Sequence, residues 1–222
     1  MTDVLLTVHP RRGVKGMDAA GVLPRFTGVA VHDAWAPYDT YTDATHALCN
    51  AHTVREVVYV IDTAPTHVVG LADQAITAMV KIKELIGQAH DHGREPDTEA
   101  VHAHRHLLRS AAVVGKTATS ARATKLERKH HALFTRLIDR WDDYQRFTTG
   151  PTIPWDNNPA EQTIRMPKLR IKVSGCLRTL SGAEEFAAIR SCTATAVRHG
   201  QNMLDVLIQA ADLNPWTPTP PT

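Results

Sequence analysis

Two acidic residues, Asp33 and Glu161, stand in settings that suit the binding of a divalent metal ion. Asp33 ends the run Gly28–Asp33, which predicts a central strand because it is apolar on both faces. Open α/β sheets place functional residues at the carboxyl ends of such strands. Between Gln162 and Arg178 there is no acid, and the basic residues are Arg165, Lys168, Arg170, Lys172 and Arg178. Carboxylates bind Mg²⁺ ions that bridge to phosphates, so the pattern indicates phosphoryl transfer on a phosphate backbone.

Each acid also has a purely structural interpretation. A strand-end Asp is commonly a turn or cap residue. Glu161 follows Asn158 by three residues, with Pro159 between them, which is typical of a capping box at a helix start. The basic run would serve equally as a solvated helix face, but five positive charges without an acid favour phosphate contact. Asn157 and Asn158 are either caps or hydrogen-bonding partners of metal-bound water and DNA, and capping is favoured for Asn158.

A C-x-x-H pattern, Cys49-Asn50-Ala51-His52, lies at a predicted strand-to-helix junction. A zinc site needs two further ligands; His32 and His46 are nearby in the sequence, but no second cysteine pair is present. A buried thiol beside a hydrogen-bonded histidine is therefore favoured over zinc. The histidines at 102, 104 and 106 alternate on a predicted helix and cannot share one face, so they are interpreted as surface residues.

The bulk composition bounds the class of protein. The chain has 222 residues and a net charge of +2, which is too small to predict nucleic-acid binding by itself. Its 3 cysteines are odd in number and widely spaced, which favours a reducing cytosol over a disulfide scaffold. No apolar run approaches membrane-spanning length. These features predict a cytoplasmic protein without a membrane partner.

The predicted elements change character along the chain. Strands are predicted at Val4–Val8, Gly28–Asp33 and Thr45–His52, with Thr53 capping the helix that follows. No strand is predicted from Pro65 to Thr149, where the helices are Val68–His92, Glu95–Val114 and a single long Lys116–Thr149. The remaining helices start near Glu161 and span Ala183–His199 and Asn202–Ala211. The predicted divisions are 1–62 and 151–213 as two parts of one core, 63–150 as a helical insertion, and 214–222 as a disordered tail.

Several motifs occur in a fixed order: G-V-A-V-H-D-A-W-A-P-Y, H-A-L-C-N-A-H-x-x-R-E, D-N-N-P-A-E-Q-x-I-R, K-V-S-G-C-L-R and G-A-x-x-F-A-x-I-R-S. Together they resemble the insertion sequence sixty-six family of bacterial DDE transposases, from the first strand to about residue 211. The resemblance implies an α/β, ribonuclease-H-like core interrupted by an all-helical insertion, mostly helical overall. It also implies Mg²⁺- or Mn²⁺-dependent cleavage of transposon ends and strand transfer on double-stranded DNA. A homo-oligomer, nucleoid-associated when bound to DNA, is implied for the intact enzyme.

The resemblance assigns roles to individual residues. Asp33 matches the second acid of the catalytic triad and Glu161 the third. Cys49 and His52 match the family's C-x-x-H, with Arg55 on the helix after it. Polar and basic residues flanking the glutamate match at Asn157, Asn158, Arg165 and Lys172. Gln162 departs from the family, which usually carries Arg there, and this change is expected to weaken a DNA or structural contact.

The first acid of the triad has no match, because in the family it lies upstream of all these motifs. Asp3 precedes the Val4–Val8 strand and is a poor substitute. We therefore expect an N-terminally truncated, incomplete core that is inactive alone. Two alternatives remain: a non-catalytic DNA-binding remnant acting through the basic segment and the helical insertion, and a zinc-stabilised structural protein built on Cys49 and His52.

Overall fold

A computed structural model describes residues 3–172, 177 and 179–218, and this part of the chain is mostly helical. Its strands are β1 (Val29–His32) and β2 (Thr45–Leu48). Its α-helices are α1 (Val14–Ala19), α2 (Asn50–Thr63), α3 (Thr66–Asp91), α4 (Thr98–Ala118), α5 (Lys125–Asp139), α6 (Trp141–Gln145), α7 (Asn158–Lys172), α8 (Leu180–Arg198) and α9 (Met203–Ala211). They form two compact units, one of Thr27–Asn157 and one of Met1–Phe26 with Asn158–Thr222. None of the described helices is long and apolar enough to cross a membrane.

The two strands of the Thr27–Asn157 unit pair in parallel. Val29 pairs with Thr45 and His32 with Leu48, so both carboxyl ends meet at one edge. The third predicted strand is shorter than expected, since β2 ends at Leu48 and α2 begins at Asn50. Thr53 is consequently an interior, buried residue of α2 instead of its N-cap.

Helices α2 to α5 pack around two apolar clusters in the same unit. Helix α3 contributes at helical spacing, and its fully buried side chains include those of Val68, Ala72, Ala75 and Ile82. Phe134 and Leu137 of α5 and Leu108 of α4 complete the clusters. The described residues between 65 and 149 hold helices and turns but no strand, which confirms the prediction for this segment.

The prediction of one long helix over Lys116–Thr149 is wrong. Helix α4 ends at Ala118, and α5 starts after Thr124. The Thr124 hydroxyl accepts a hydrogen bond from the Glu127 amide at 3.1 Å, and the Glu127 carboxylate accepts one from the Thr124 amide at 3.1 Å. This capping box satisfies amides that a helix start leaves unpaired, so a new helix begins without a preceding Gly or Pro.

The predicted strand at Val4–Val8 is also wrong. Residues 3–9 form neither a strand nor a helix. The amides of Val4 and Leu6 donate to the hydroxyls of Thr195 and Ser191 on α8, at 2.9 and 2.8 Å. Side chains of a helix thus take the hydrogen bonds that a neighbouring strand would have supplied. A ribonuclease-H-like sheet is therefore not seen here, where the described sheet has 2 strands.

The unit that contains α7 to α9 follows the predicted helices closely. Helix α8 begins three residues before the predicted start and ends beside Gly200, whose φ of 72° suits glycine. The Asn202 side chain caps α9 by accepting from the Leu204 amide at 2.8 Å. Arg198 of α8 donates to the Thr163 hydroxyl of α7 at 3.2 Å, which joins the two helices.

Candidate functional site

A pocket of about 250 Å³ lies at the edge where β1 and β2 end. Asp33 is the first residue after β1, and Cys49 is the first after β2. The Cys49 amide donates to the His32 carbonyl at 2.8 Å, which continues the parallel pairing one step past the strands. The pocket is lined by Asp33, Ala34, Trp35, Leu48, Cys49, His52, Thr53, Glu56, Arg136 and Tyr144.

Asp33 offers an available carboxylate to this pocket. Its Oδ1 atom accepts a hydrogen bond from the Trp35 amide at 3.3 Å, which holds the side chain in a tight turn. Among the residues described, no cationic side chain forms an ion pair with it. Burial and then the nearby negative charge of Asp33 raise the pKa of Tyr38. The carboxylate therefore acts on its surroundings as a negative charge without a salt-bridge partner.

The second acid of the pocket, Glu56, is already paired. The Arg136 guanidinium donates to its carboxylate and to the Tyr144 hydroxyl, the latter at 2.7 Å. Burial alone would lower the pKa of Arg136, but Tyr144 and Glu56 outweigh it and the pKa rises. Arg136 thus stays charged and neutralises Glu56, so the pocket's uncompensated negative charge belongs to Asp33.

The C-x-x-H residues lie beside Asp33 at the start of α2. Cys49 is 1% exposed, and its Sγ atom accepts a hydrogen bond from the Asn157 amide at 3.4 Å. His52 is half-buried one turn further on. The intervening Asn50 is buried and donates from Nδ2 to the Tyr144 carbonyl at 3.1 Å and the Trp155 carbonyl at 3.4 Å. These bonds fasten the segment 155–157 to the strand edge.

A buried histidine supports Asp33 from the strand side. His32 is 2% exposed, stacks on Tyr38 with ring centroids 4.2 Å apart, and shares a 2.9 Å hydrogen bond with His46. Its Nδ1 also hydrogen-bonds the Asp33 carbonyl oxygen. Burial lowers the pKa of His32, which keeps the ring neutral. The sequence offered His32 only as a possible zinc ligand near Cys49 and His52, and this supporting role was missed, although its place on a buried strand directly before Asp33 was a usable signal.

The other predicted site residues are distributed over both units. Glu161 is half-buried on α7 in the unit that contains Asn158–Thr222, and Asp33 belongs to the Thr27–Asn157 unit. Arg165 on α7 and Arg55 on α2 are exposed. Lys168, Arg170 and Lys172 lie on α7, where Asn158 is the first residue. Arg178 lies outside the described residues. Asp3, the poor substitute for the missing acid, bonds His199 at 2.8 Å.

A comparison with family models decides the relationship. The model described as Transposase IS66 family matches residues 2–185. The chain belongs to the IS66 transposase family. This confirms the resemblance read from the ordered motifs. No curated protein and no solved structure matches the chain significantly.

The pocket of this IS66-family chain fits a hard divalent cation through Asp33. Mg²⁺ characteristically takes one or two carboxylates and keeps several waters, so one available carboxylate in a pocket of about 250 Å³ is compatible with it. The Cys49 thiol is a soft donor, buried and already hydrogen-bonded, and suits Mg²⁺ poorly. Asp33 is therefore the residue of this pocket best suited to a magnesium or manganese ion.

Proposed function

We propose that this chain acts in DDE-type transposition, the metal-dependent cleavage of transposon ends and their strand transfer. The observation that carries the proposal is Asp33, an unpaired carboxylate at the carboxyl edge of a parallel strand pair in an IS66-family chain. Strand ends of this kind are where α/β enzymes bring ligands together. In the proposal, β1 and β2 belong to a ribonuclease-H-like core, and Asp33 is its second acid.

In this proposal, the two acids bind the metal ion and the neighbouring C-x-x-H residues support the strand edge beside Asp33. Mg²⁺ or Mn²⁺, when bound, would supply activation of the attacking water or 3′-hydroxyl and stabilisation of the leaving oxygen. Asp33 contributes a carboxylate oxygen held in place by the Trp35 amide. Glu161 contributes the third acid of the triad, an assignment that rests on the family motif. Cys49 and His52 support the strand edge that carries Asp33.

Double-stranded DNA is the proposed partner. The basic residues of α7, with Asn157 before them, are proposed to contact its phosphates: Arg165, Lys168, Arg170, Lys172 and, further along, Arg178. Such contacts are insensitive to base sequence and weaken with salt. Because transposition joins two transposon ends, the intact enzyme is proposed to self-associate on DNA.

Metal binding tests the role of Asp33 directly. Mn²⁺ titration followed by electron paramagnetic resonance should show a bound ion that is lost in Asp33→Asn. The matched control is Asp139→Asn, which changes an exposed carboxylate at the end of α5. Equal Mn²⁺ binding by wild type and Asp33→Asn would reject Asp33 as a ligand. In the active transposase, Glu161→Gln should abolish end cleavage and leave DNA binding largely in place.

One observation favours a second candidate, a non-catalytic DNA-binding protein. Arg136 neutralises Glu56, so Asp33 is the one available acid of the pocket among the described residues. Two-metal chemistry asks for more carboxylates than that. The second candidate predicts salt-dependent DNA binding without strand transfer when the chain is incubated with transposon-end DNA and Mg²⁺ or Mn²⁺. Robust strand transfer by the chain alone would eliminate it.

A further inference from the structure

A cleft on the helical part of the Thr27–Asn157 unit has the lining of an anion-binding surface. It measures about 430 Å³ and lies where α4 faces the first residue of α6. Two arginines and a histidine of α4 line it together with Trp141, and no carboxylate is among its described lining residues. The basic residues of the lining are Arg105, His106 and Arg109.

Helical spacing on α4 accounts for the grouping of these side chains. The helix buries Val101, Leu108 and Ala112 against the core. Arg105, Arg109 and Val113 recur at intervals of four residues, so they share a neighbouring face. Arg109 and Val113 are exposed and Arg105 is half-buried. The sequence therefore places two guanidinium groups side by side at the solvent-facing border of the core.

Trp141 serves as a fixed platform for both arginines. Its ring centroid lies 5.8 Å from the Arg105 guanidinium carbon and 5.1 Å from that of Arg109. The indole is partly buried and packs against the apolar cluster of α3 and α4, which restrains it. Attraction between each cation and the ring, about 0.5–1 kcal/mol at an exposed site, holds the guanidinium groups without satisfying their charge.

The arginines of the cleft differ from other arginines of the same unit. Arg136 pairs with Glu56, and Arg140 pairs with Asp39 at 2.8 Å and with Asp143 at 2.5 Å. Within the described chain, Arg105 and Arg109 have no such carboxylate partner. Their planar forks are thus free to bind an external anion, and the geometry of arginine suits the two oxygens of a phosphate group.

We propose that Arg105, Arg109 and Trp141 form a second contact surface for double-stranded DNA, with the guanidinium groups on backbone phosphates. The inference rests on the proposed function, which supplies DNA as the partner. It adds a contact on the helical insertion to the one expected on α7. Because the contact is to the backbone, it should be independent of base sequence and should weaken as salt rises.

Charge-matched variants test the surface in equilibrium binding. Fluorescence anisotropy with a random-sequence duplex is measured in EDTA across a series of salt concentrations. Arg105→Gln with Arg109→Gln should weaken binding at least about tenfold at low salt and lower the salt slope by about 1 to 2. The control, Arg94→Gln with Lys125→Gln, removes the same charge from exposed residues away from the cleft. Equal losses in both double variants would overturn the proposal.

Photocrosslinking tests the location without removing a charge. Benzoylphenylalanine at position 114, where Val114 lines the cleft and is 48% exposed, should crosslink to bound duplex. The same residue at position 58 on α2, where Val58 is 41% exposed, should not. Crosslinking at 58 but not at 114 would overturn the proposal. So would preferential binding of poly-glutamate at this cleft, which would indicate an acidic protein partner.

The outcomes separate this inference from the proposed function. Binding in EDTA needs no metal ion, so the duplex measurements do not depend on whether Asp33 binds Mn²⁺. Failure of the wild-type chain to bind any duplex would overturn the inference, while Mn²⁺ binding would still decide the role of Asp33. Equal Mn²⁺ binding by wild type and Asp33→Asn, together with weaker duplex binding by the Arg105→Gln and Arg109→Gln double variant, would support the inference and reject the metal site.

Discussion

The Cys49 amide donates a hydrogen bond to the His32 carbonyl across 2.8 Å, one step beyond the last paired residues of β1 and β2. This bond sets Asp33 and the start of α2 at the same edge of the sheet. Asp33, whose carboxylate is proposed to bind metal, therefore lies between two main-chain hydrogen bonds: the one accepted by the His32 carbonyl and the one donated by the Trp35 amide. The neighbouring Asn50 connects that edge to the carbonyl groups of Tyr144 on α6 and of Trp155, all within the Thr27–Asn157 unit.

Asn50→Ala should destabilise the Thr27–Asn157 unit. The change removes the buried side-chain amide that donates to the Tyr144 carbonyl, while the Trp155 carbonyl keeps its 3.1 Å bond from the Asn50 main-chain amide. Leaving buried polar groups unsatisfied costs about 1–3 kcal/mol, which urea denaturation followed by circular dichroism would measure. Thr40→Ala is the control, because its hydroxyl bonds the Pro37 carbonyl at an exposed position. A loss no greater than that of the control would show that Asn50 does not fasten the edge.

Glycine at position 115 is required by the close packing of α4 on α5. A Cβ atom there would lie 2.6 Å from the Phe134 ring, which is fully buried. Gly115→Ala should therefore lower the free energy of unfolding by about 1–3 kcal/mol despite the better helix propensity of alanine. Gly70→Ala on α3 meets nothing within 4 Å and should stabilise by about 0.5–1 kcal/mol. Thermal denaturation would show opposite shifts in Tm, and shifts of the same sign would contradict this packing.

The capping box at Thr124 should be measurable as a local loss of stability. Thr124→Ala removes the hydroxyl that accepts from the Glu127 amide, which should cost about 1 kcal/mol. Thr117→Ala, inside α4, removes a hydroxyl that only bonds the exposed Val113 carbonyl and should be neutral or slightly stabilising. Hydrogen exchange of the first amides of α5 would locate the effect. Unchanged protection there in Thr124→Ala would show that the helix start is fixed by tertiary packing.

Much of the helical architecture was predictable because its causes are local. Spacing of apolar residues gave α3, and Asn202 marked the start of α9. The end of α4 and the start of α5 also have a local cause, the capping box of Thr124 and Glu127. The prediction of one long helix considered only the absence of Gly and Pro. The predicted strand at Val4–Val8 was wrong for another reason: the hydrogen-bonding partners of this segment, Ser191 and Thr195, lie on a helix that is distant in sequence. No local pattern distinguishes a segment bonded to a helix from a strand in a sheet.

The motif residues of the candidate site could be predicted from the sequence. The residues that surround and pair with them could not. Asp33, Cys49 and His52 were found from residue type and position, and they line one pocket. The pairing of Glu56 with Arg136 joins α2 to α5, and only the packing of those helices brings the two together. The cleft at Trp141 was missed for the same reason, since Arg105 and Arg109 meet that ring from a separate helix.

His130 should make the stability of the chain dependent on pH. It is 2% exposed and hydrogen-bonds the Thr63 hydroxyl at 3.0 Å, and that hydroxyl lies 2.5 Å from the Tyr59 carbonyl. Burial lowers the pKa of His130, partly opposed by Glu127, so the folded state binds the proton less readily than the unfolded chain. The stabilising contribution of neutral His130 to the free energy of unfolding is therefore complete above the unfolded pKa of about 6.5. It is lost as the pH falls through the lower folded pKa.

The measurement is the free energy of unfolding from urea titrations between pH 5 and pH 8, compared for wild type and His130→Gln. Wild type should lose stability below about pH 6.5 with an added slope of at most about 1.4 kcal/mol per pH unit from this residue. His130→Gln lacks the titrating group, so its curve should be flatter over the same range. His67→Gln, at an exposed position on α3, is the control and should retain the wild-type slope. Parallel curves for wild type and His130→Gln would show that another group carries the pH dependence.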